Sequence, residues 1–526
     1  MSEVGMNGTA EPAHAPANGR VGAAVLWCIV AALAGFVIAW PALHGLTATN
    51  DDIKFLRTTD RGLSAWGAIA NAWKTSPAFR PVEILVAAGG DDVTLECPWV
   101  IPVHAAGLAV LAVAVVGLVR RAIPGSAAAA PLALLWILLS PATTVSAWQM
   151  DCGSQTWSAA LGAWAMLLAW RAFDAARGGR VAWSTLGWLV LVFLLGVNVK
   201  ETFYGWSAAI GSATIVAAAM LARRDRAAAL RAAWILLPVV ALPVAHLAAR
   251  ALTGSIFAVA TDGPGSRYQA EFGLNIVVNV AMMVAGCVGT GPFHVVMDDG
   301  ASPLLRVLPV LALLLLGGMI IAAVGLAWLH RKSAGWRAIG VPVAVAAVAF
   351  ASTAATIPMG NASELYCFGA NVGVAVLFAA VVVCLWDPVA ADERLIGRGV
   401  VAIAGGLVLA IGVFGLAGRA HHFRVTWEVS RIVNRKVLGF QPTLASRGTV
   451  KASGVVYFPS SCILQRTYGQ YVSPPAQLLD VDDTEPWLNR RDPTRMIVFA
   501  LDAPPGAPSP SDLVLDCDSL PRHGHW

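Results

Sequence analysis

The chain contains 526 residues, of which 57% are hydrophobic and only 13% are charged. Soluble domains carry about 25% charged residues, so this composition excludes an ordinary soluble protein. The formal net charge of +5 is small for this length, and the basic residues lie mainly in short loops between apolar segments. The charge pattern therefore indicates membrane topology, and we expect no nucleic-acid partner.

Apolar segments of about 18 to 25 residues recur along most of the chain, and each is long enough to cross a hydrocarbon core of about 30 Å as a helix. The pattern predicts an all-α polytopic membrane protein with about eleven transmembrane helices. The predicted spans are 21–43, 98–119, 129–147, 155–171, 182–199, 203–221, 232–252, 303–328, 339–358, 366–386 and 399–418. A further apolar run, 273–291, is expected to form an interfacial or re-entrant helix, because a full span there would place the basic segment "HRKSAGWR" on the outer side.

The basic loops set the predicted orientation. Arginine residues gather in alternate loops, which the positive-inside rule assigns to the cytoplasm. They include Arg20, Arg120, Arg171, Arg223, Arg331 and Arg394. Residues 1–20 are polar and predict a disordered cytoplasmic tail, and the apolar run after them lacks a signal-peptide cleavage site. The chain beyond residue 418 is then extracytoplasmic. Frequent Ala and a preference for Arg over Lys favour a GC-rich bacterium, so we predict a bacterial inner-membrane protein with a periplasmic outer face.

A long outer loop, residues 44–97, separates the first two predicted spans. Links in helix bundles usually have about two to eight residues, so this loop has a function or a fold of its own. Within it, "DRGLSAWGAIANAWK" places Leu63, Trp66 and Trp73 at helical spacing, with Asp60 as the predicted N-cap. The two tryptophans favour a helix lying along the outer membrane surface, and a helix packed on neighbouring loops is the alternative.

Three parts follow from this division: the tail 1–20, a membrane domain 21–418, and an extracytoplasmic C-terminal domain 419–526. In the last part Pro, Asp and Arg become frequent, and "SGVVYFP", "RMIVFALD" and "DLVLDCD" are typical of short strands. We predict a small α/β or β domain. Its only cysteines, Cys462 and Cys517, are candidates for a disulfide on the oxidising side of the membrane.

Charged residues gather at the predicted outer ends of the spans. Asp51 and Asp52 follow the first span, and Arg80 precedes a proline in the outer loop. Lys200 and Glu201 lie between two apolar runs. A charge at membrane depth costs about 3 kcal/mol or more, so Lys200 indicates a water-filled cavity or a specific partner. Structural roles are the alternative, with the two aspartates as helix caps and the Lys–Glu pair bound to other loops.

Three weaker candidates accompany these charges. His104 lies one turn into the second span, where a neutral imidazole can hydrogen-bond a phosphate or a carboxylate, and a packed histidine is the alternative. Two further acidic pairs flank turn glycines, where Asp is favoured for local backbone reasons. These pairs are Asp91 with Asp92 and Asp298 with Asp299.

The order of these signals resembles the GT-C membrane glycosyltransferases, in particular the membrane part of the protein O-mannosyltransferase and tetratricopeptide-linked O-mannosyltransferase group. The resemblance rests on the acidic pair after the first span, the interfacial helix, "FRPVEIL", the histidine early in span two, "LSPATTVSAW" and "VKETFYGW". It covers roughly residues 20–390. The sequence departs from the pattern at Gly107 and Ser140, where asparagine and histidine are common, and it has no tetratricopeptide repeats.

The resemblance implies transfer of one sugar, with inversion, from a polyprenyl-phosphate donor in the lipid bilayer. The acceptor is a hydroxyl of an envelope glycan, lipid or protein on the outer face. Asp51 or Asp52 is implied as the catalytic base, because a positioned carboxylate can take the hydroxyl proton. Arg80, Lys200 and His104 are implied to bind the donor phosphate, because the leaving group needs positive charge.

Glu201 is implied to orient the substrate or a metal, so a divalent cation is left open and no cofactor is assigned. Two other classes of function compete with the transferase. A transporter or flippase for lipid-linked envelope precursors predicts charges near the bilayer centre and internal repeats. A non-catalytic assembly partner fits the departures from the pattern.

Overall fold

A computed structural model describes residues 17–46, 64–75, 80–87, 100–149, 152–253, 273–288, 303–330, 335–358, 367–387, 393–445, 495–498 and 513–516. Most of these residues are helical, as their apolar sequence predicts. The helices are α1 (Ala17–His44), α2 (Ala65–Thr75), α3 (Pro81–Ala87), α4 (Val100–Ala122), α5 (Ala129–Leu139), α6 (Pro141–Trp148), α7 (Gly153–Arg177), α8 (Trp183–Gly196), α9 (Phe203–Ala222), α10 (Arg226–Ala233), α11 (Leu242–Leu252), α12 (Leu274–Val288), α13 (Pro303–Leu329), α14 (Gly335–Ala351), α15 (Phe368–Trp386), α16 (Arg394–Val400) and α17 (Gly406–Ala445). Two π-helical turns, Leu237–Ala241 and Val401–Gly405, lie before α11 and α17.

Seven helical segments in the described part of the chain are long and apolar enough to cross a membrane. They are Val21–His44, Val100–Ala122, Phe203–Ala222, Arg226–Leu252, Val307–Leu329, Phe368–Trp386 and Arg394–Val425. The bent pair α5 and α6 adds an eighth if the two helices count as one span. The protein is therefore a polytopic helical membrane protein. The total of eleven spans stays a prediction, because α7, α8 and α14 fall outside this group.

Helices α4 and α7 set the register of the bundle. Trp157 Nε1 donates to the Val103 carbonyl at 3.1 Å. Two turns further on, Trp164 Nε1 donates to the Val110 carbonyl at 3.1 Å. Gly107 permits this approach, because a Cβ there would lie 3.1 Å from the Trp157 Nε1 atom. The two helices therefore run parallel, and both begin at the same end of the bundle.

The predicted third span consists of two helices, α5 and α6, that meet at 59°. Ser140 is extended, and Pro141 occupies the first position of α6, where proline needs no amide hydrogen bond. The fully buried Arg419 bridges the break: its Nη2 donates to the Leu139 carbonyl at 2.6 Å, and its Nε donates to Thr144 Oγ1 at 2.6 Å. A carbonyl at the negative end of α5 thereby gains a cationic partner. The break differs from the continuous span predicted, and Pro141 accounts for it.

The helix predicted to lie along the membrane surface is α2, and it begins later than predicted. Ser64 directly precedes it, and the Ser64 hydroxyl accepts a hydrogen bond from Gly67 N at 3.1 Å. Ser64 therefore supplies the N-cap that was predicted for Asp60. Trp66 exposes 73% of its surface, whereas Trp73 packs against a small apolar cluster shared by α2 and α3. The helix thus has one exposed and one packed tryptophan.

The C-terminal part remains helical further than its composition suggests. Helix α17 continues to Ala445, so the change in composition near residue 419 does not coincide with a helix end. Strands β1 (Arg495–Val498) and β2 (Leu513–Asp516) form an antiparallel pair. They fall within two of the three predicted strand segments, and "SGVVYFP" lies outside the described residues. The separate C-terminal domain stays a prediction.

Candidate active site

The turn 197–202 between α8 and α9 holds the predicted charges Lys200 and Glu201. Backbone hydrogen bonds close this turn, one of them from Phe203 N to the Lys200 carbonyl at 3.0 Å. The Phe203 ring covers Gly196, where a Cβ would lie 2.4 Å from the ring. Lys200 is 6% exposed, whereas the Glu201 side chain is 43% exposed. The chain is not one continuous helix through this pair, and the two side chains have different surroundings.

Arg80 and Glu201 form an ion pair although 121 positions separate them in the sequence. Arg80 directly precedes α3, which Pro81 begins. The Arg80 Nε donates to Glu201 Oε2 at 3.0 Å, and Arg80 Nη2 donates to Glu201 Oε1. The planar guanidinium therefore meets the carboxylate through two hydrogen bonds, the geometry that arginine favours with carboxylates. The fold brings together two residues that the sequence pointed to separately.

The carboxylate of Glu201 is stabilised by two cations. Burial by itself raises the pKa of this carboxyl group, but the charges of Arg80 and Lys200 and the hydrogen bond from Arg80 outweigh that effect. The pKa of Glu201 falls from 4.5 to about 2. Glu201 is therefore ionised at neutral pH, and its carboxylate holds the Arg80 guanidinium in place.

A second polar group adjoins this ion pair. Tyr204 Oη and His246 Nδ1 lie 2.6 Å apart. Arg250, one turn beyond His246 and only 4% exposed, hydrogen-bonds the Tyr204 side chain, which also lies in the field of Glu201. The Trp73 ring meets the His246 ring edge to face, with centroids 5.5 Å apart. Helices α2, α9 and α11 therefore converge beside the Arg80–Glu201 pair.

Tyr204, His246 and Arg250 were not predicted from the sequence as site residues. A signal for the last two was present, because "PVAHLAARAL" places a histidine and an arginine four positions apart within a predicted span. Ionisable residues inside spans are rare, and residues at this spacing share one helix face. A search for charges within the spans, in addition to their ends, finds this pair.

A small uncharged cavity of about 20 Å³, sufficient for one water molecule, adjoins the turn. Its polar lining consists of Gln155, Ser158, Thr202, Ser352, Thr353 and Thr356. The Thr202 hydroxyl lies 3.0 Å from that of Ser158 and donates to Gln155 Oε1 at 3.3 Å. Helix α9 approaches this region closely at Gly205, where a Cβ would lie 1.8 Å from the Ser352 carbonyl oxygen. Hydroxyl groups from three segments therefore meet next to the charged turn.

His104 belongs to helix α4, and its buried side chain packs against α6 and the start of α7. Its Nδ1 is 3.0 Å from the Ala147 carbonyl oxygen, to which it can donate. A Cβ on Gly153 would lie 2.0 Å from the His104 Nε2 atom. These contacts are typical of a packed histidine, and contact with a donor phosphate stays a prediction.

Several predicted residues lie outside the described part of the chain. They are Asp51, Asp52, Asp91, Asp92, Asp298, Asp299, Cys462 and Cys517. Within the described ranges, no group of three or more His, Cys, Asp or Glu side chains could hold a metal ion. The catalytic base, the disulfide and the divalent cation therefore stay predictions.

Comparison with known proteins shows a distant likeness in fold. No family model matches the sequence, and no curated protein matches it. The fold is similar to the crystal structure of the Archaeoglobus fulgidus oligosaccharyltransferase in the apo form, with 11% sequence identity and a TM-score of 0.41. The likeness covers 77% of this chain and 58% of that chain, so it spans less than two thirds of the archaeal protein. A likeness at this level does not by itself identify a reaction.

Proposed function

We propose that the protein is a membrane glycosyltransferase that moves one sugar from a polyprenyl-phosphate donor to a hydroxyl group. The acceptor is an envelope glycan, lipid or protein. The observation that carries this proposal is the meeting of Arg80, Lys200 and Glu201 at one end of a helical membrane bundle. A permanently charged fork, held by a carboxylate beside a buried lysine, suits a phosphate group that gains charge as the sugar leaves.

The proposed reaction is an inverting displacement. The acceptor hydroxyl oxygen attacks the anomeric carbon while the bond from that carbon to the phosphate oxygen breaks. The proton of the hydroxyl passes to the carboxylate of Asp51 or Asp52, and the polyprenyl phosphate leaves as an anion. Arg80, Lys200 and His104 are the proposed phosphate contacts.

The proposed role of Glu201 is to position Arg80, without itself contacting the donor phosphate. Its two hydrogen bonds with Arg80 support a positioning function, because they fix the plane of the guanidinium. Orientation of the acceptor or of a divalent cation by the same carboxylate is the further proposal taken from the sequence.

The proposed location is the bacterial inner membrane, with the site on the periplasmic face. Arg121 and Asp174 pair at the end of the bundle opposite the turn 197–202, near other loop arginines. Helix α4 alone has 23 residues, so these ends are about 35 Å apart. By the positive-inside rule the arginine-rich end faces the cytoplasm, which directs the candidate site outward.

The test uses the purified full-length chain reconstituted in bilayers with a polyprenyl-phosphate-linked sugar. Asp51→Asn and Asp52→Asn are compared with Asp387→Asn, whose exposed carboxylate pairs with Arg394 near the basic end. We expect loss of sugar transfer in at least one of the first two variants and unchanged transfer in the third. Full activity in Asp51→Asn, Asp52→Asn and their double variant overturns the assignment of the base.

A lipid-linked precursor transporter or flippase is the second candidate, and the broken pair α5 and α6 is the feature that favours it. Reconstituted vesicles separate the two proposals, because a flippase moves the intact donor between leaflets whereas a transferase separates sugar from lipid. Binding of the donor without movement or transfer supports a non-catalytic assembly partner instead.

A further inference from the structure

The group formed by Tyr204, His246 and Arg250 has a defined hydrogen-bond direction. An arginine side chain can only donate, so the Tyr204 hydroxyl accepts from Arg250 and its single proton is available to His246 Nδ1, 2.6 Å away. A neutral His246 that accepts at Nδ1 carries its proton on Nε2. The group therefore presents an N–H donor at the far side of the imidazole ring.

That donor has no acceptor in the described part of the chain. His246 Nε2 is buried, and no hydrogen-bond partner for it is present among the described residues. Buried polar atoms in folded proteins are nearly always hydrogen-bonded, so a lone buried donor marks a place for an acceptor that is supplied from elsewhere. The positive charge of Arg250, which acts on His246 as well, favours an anionic acceptor there.

Neighbouring residues suit a ligand that has both an anionic and an apolar part. The Trp73 ring fixes the plane of the imidazole from one side. On α11, Val244 and Leu247 are exposed apolar residues, and the helix belongs to the candidate membrane span Arg226–Leu252. A lipid with a phosphate head group matches this combination, since the head group meets the donor while the chain lies along apolar surface.

We propose that His246, with its tautomer set by Tyr204 and Arg250, is a specificity-determining residue that donates a hydrogen bond to the phosphate of the polyprenyl donor. This inference rests on the proposed function and adds a contact outside the Arg80–Glu201 pair. The polyprenyl monophosphate that leaves carries about −1.5 to −2 charge, more than the phosphodiester from which it forms, so the contact is tighter after transfer.

Binding to soluble lipid phosphates tests the contact without knowledge of the sugar. The probes are farnesyl phosphate, its methyl diester, farnesol and inorganic phosphate, titrated against the full-length protein in detergent micelles. For the wild type we expect the affinity order farnesyl phosphate, methyl diester, farnesol. Inorganic phosphate should bind more weakly than farnesyl phosphate; equal binding of the two assigns the site to free phosphate and overturns the lipid assignment.

Variants then locate the contact. His246→Phe keeps the ring that meets Trp73 but removes the donor, and we expect farnesyl phosphate to bind about 10- to 100-fold more weakly, the loss of one hydrogen bond to a charged group. Tyr204→Phe leaves the His246 tautomer free and should cost about tenfold or less. Arg398→Gln, an exposed arginine beside Trp386 near the basic end, is the matched control and should bind as the wild type does.

Farnesol binding and thermal unfolding report on folding in each variant. Equal losses for farnesol and farnesyl phosphate in His246→Phe indicate a purely structural role and overturn the proposal. Wild-type binding of farnesyl phosphate by His246→Phe overturns it as well. If the protein transfers no sugar but the phosphate-specific loss is present, the proposed reaction fails and this contact stands. If sugar is transferred and the loss is absent, the contact fails and the reaction stands.

Discussion

The two ends of the helical bundle use arginine in different ways. At the basic end, Arg121 pairs with Asp174 and contacts the Trp170 ring, and Arg398 donates to the Trp386 carbonyl. These side chains are partly exposed and bind residues near the ends of neighbouring helices. Such pairs contribute about 0 to 1 kcal/mol each and mainly anchor the helices at the interface.

At the other end several charged side chains are buried. Arg80 meets Glu201 across 121 positions, while Lys200 and Arg250 are at most 6% exposed. Moving a charged side chain out of water costs free energy. Buried charges are therefore found where they pair with one another or bind a ligand. Loop arginines therefore mark one end of the bundle, whereas burial of Lys200 and Arg250 beside the Arg80–Glu201 pair marks the candidate site.

The largest expected effect is a difference in activity between variants at the two ends of the bundle. Arg80→Gln removes the charged fork and leaves Glu201 without its partner, so we expect the kcat of sugar transfer to fall about 10²- to 10³-fold. Arg398→Gln at the basic end should leave kcat unchanged. Transfer rates of the two reconstituted variants check this. Equal rates for both would contradict a special role for the Arg80 end.

A positioning role for Glu201 is tested by adding Glu201→Gln to Arg80→Gln. If Glu201 acts through Arg80, the double variant should transfer sugar no more slowly than Arg80→Gln alone, because coupled residues are not additive. A further loss in the double variant would show that Glu201 contacts the substrate or a metal as well.

The next effect concerns stability within the bundle. Arg419→Met leaves the Leu139 carbonyl and the Thr144 hydroxyl without their cationic donor, so we expect the free energy of unfolding to fall by about 2–5 kcal/mol. Arg394→Met, with a side chain 47% exposed at the basic end, should change it by less than about 1 kcal/mol. Thermal unfolding in detergent measures both, and similar shifts would contradict the difference in burial.

A smaller effect tests the close approach behind the charged turn. Gly205→Ala places a Cβ against the Ser352 backbone carbonyl, so helix α9 must shift at a cost of about 1–3 kcal/mol. Gly187→Ala is the matched control, because a Cβ there meets nothing within 4 Å. We expect lower unfolding temperature and slower transfer only for Gly205→Ala. Unchanged behaviour of both variants would show that this contact does not position the turn.

The smallest effect is the pH dependence of the Arg80–Glu201 pair. The folded pKa of Glu201, about 2, lies below its ordinary value of 4.5, so its stabilising contribution is fully present above pH 4.5. The contribution is lost as the pH falls from 4.5 to about 2. Because the side chain is 43% exposed, solvent screening keeps it small.

Thermal unfolding of the wild type and of Glu201→Gln over this pH range measures the contribution. The difference between the two proteins should be constant near neutral pH and should shrink in acid. A difference that grows as the pH falls would contradict the direction of the pKa change.

Local patterns predicted the features that depend on neighbouring residues. The apolar runs predicted the helical class, and the spacing of Trp66 and Trp73 predicted helix α2. Charge beside apolar sequence indicated Arg80 and Lys200. The break at Ser140 was overlooked although Pro141 indicated it, because hydropathy was read as one continuous span. The cap at Ser64 was missed because helix starts are hard to place within a few residues.

The sequence by itself predicts which segments insert into the membrane. A helix satisfies its own backbone hydrogen bonds and needs only enough consecutive apolar side chains to enter lipid. The sequence does not predict in the same way which residues the charged side chains contact. Glu201 meets Arg80, and His246 meets Tyr204 and Trp73, only when helices distant in the chain pack together. Such meetings depend on helix register and close approach at small residues, which no local pattern specifies, so tertiary packing alone decided which of the charges share a site.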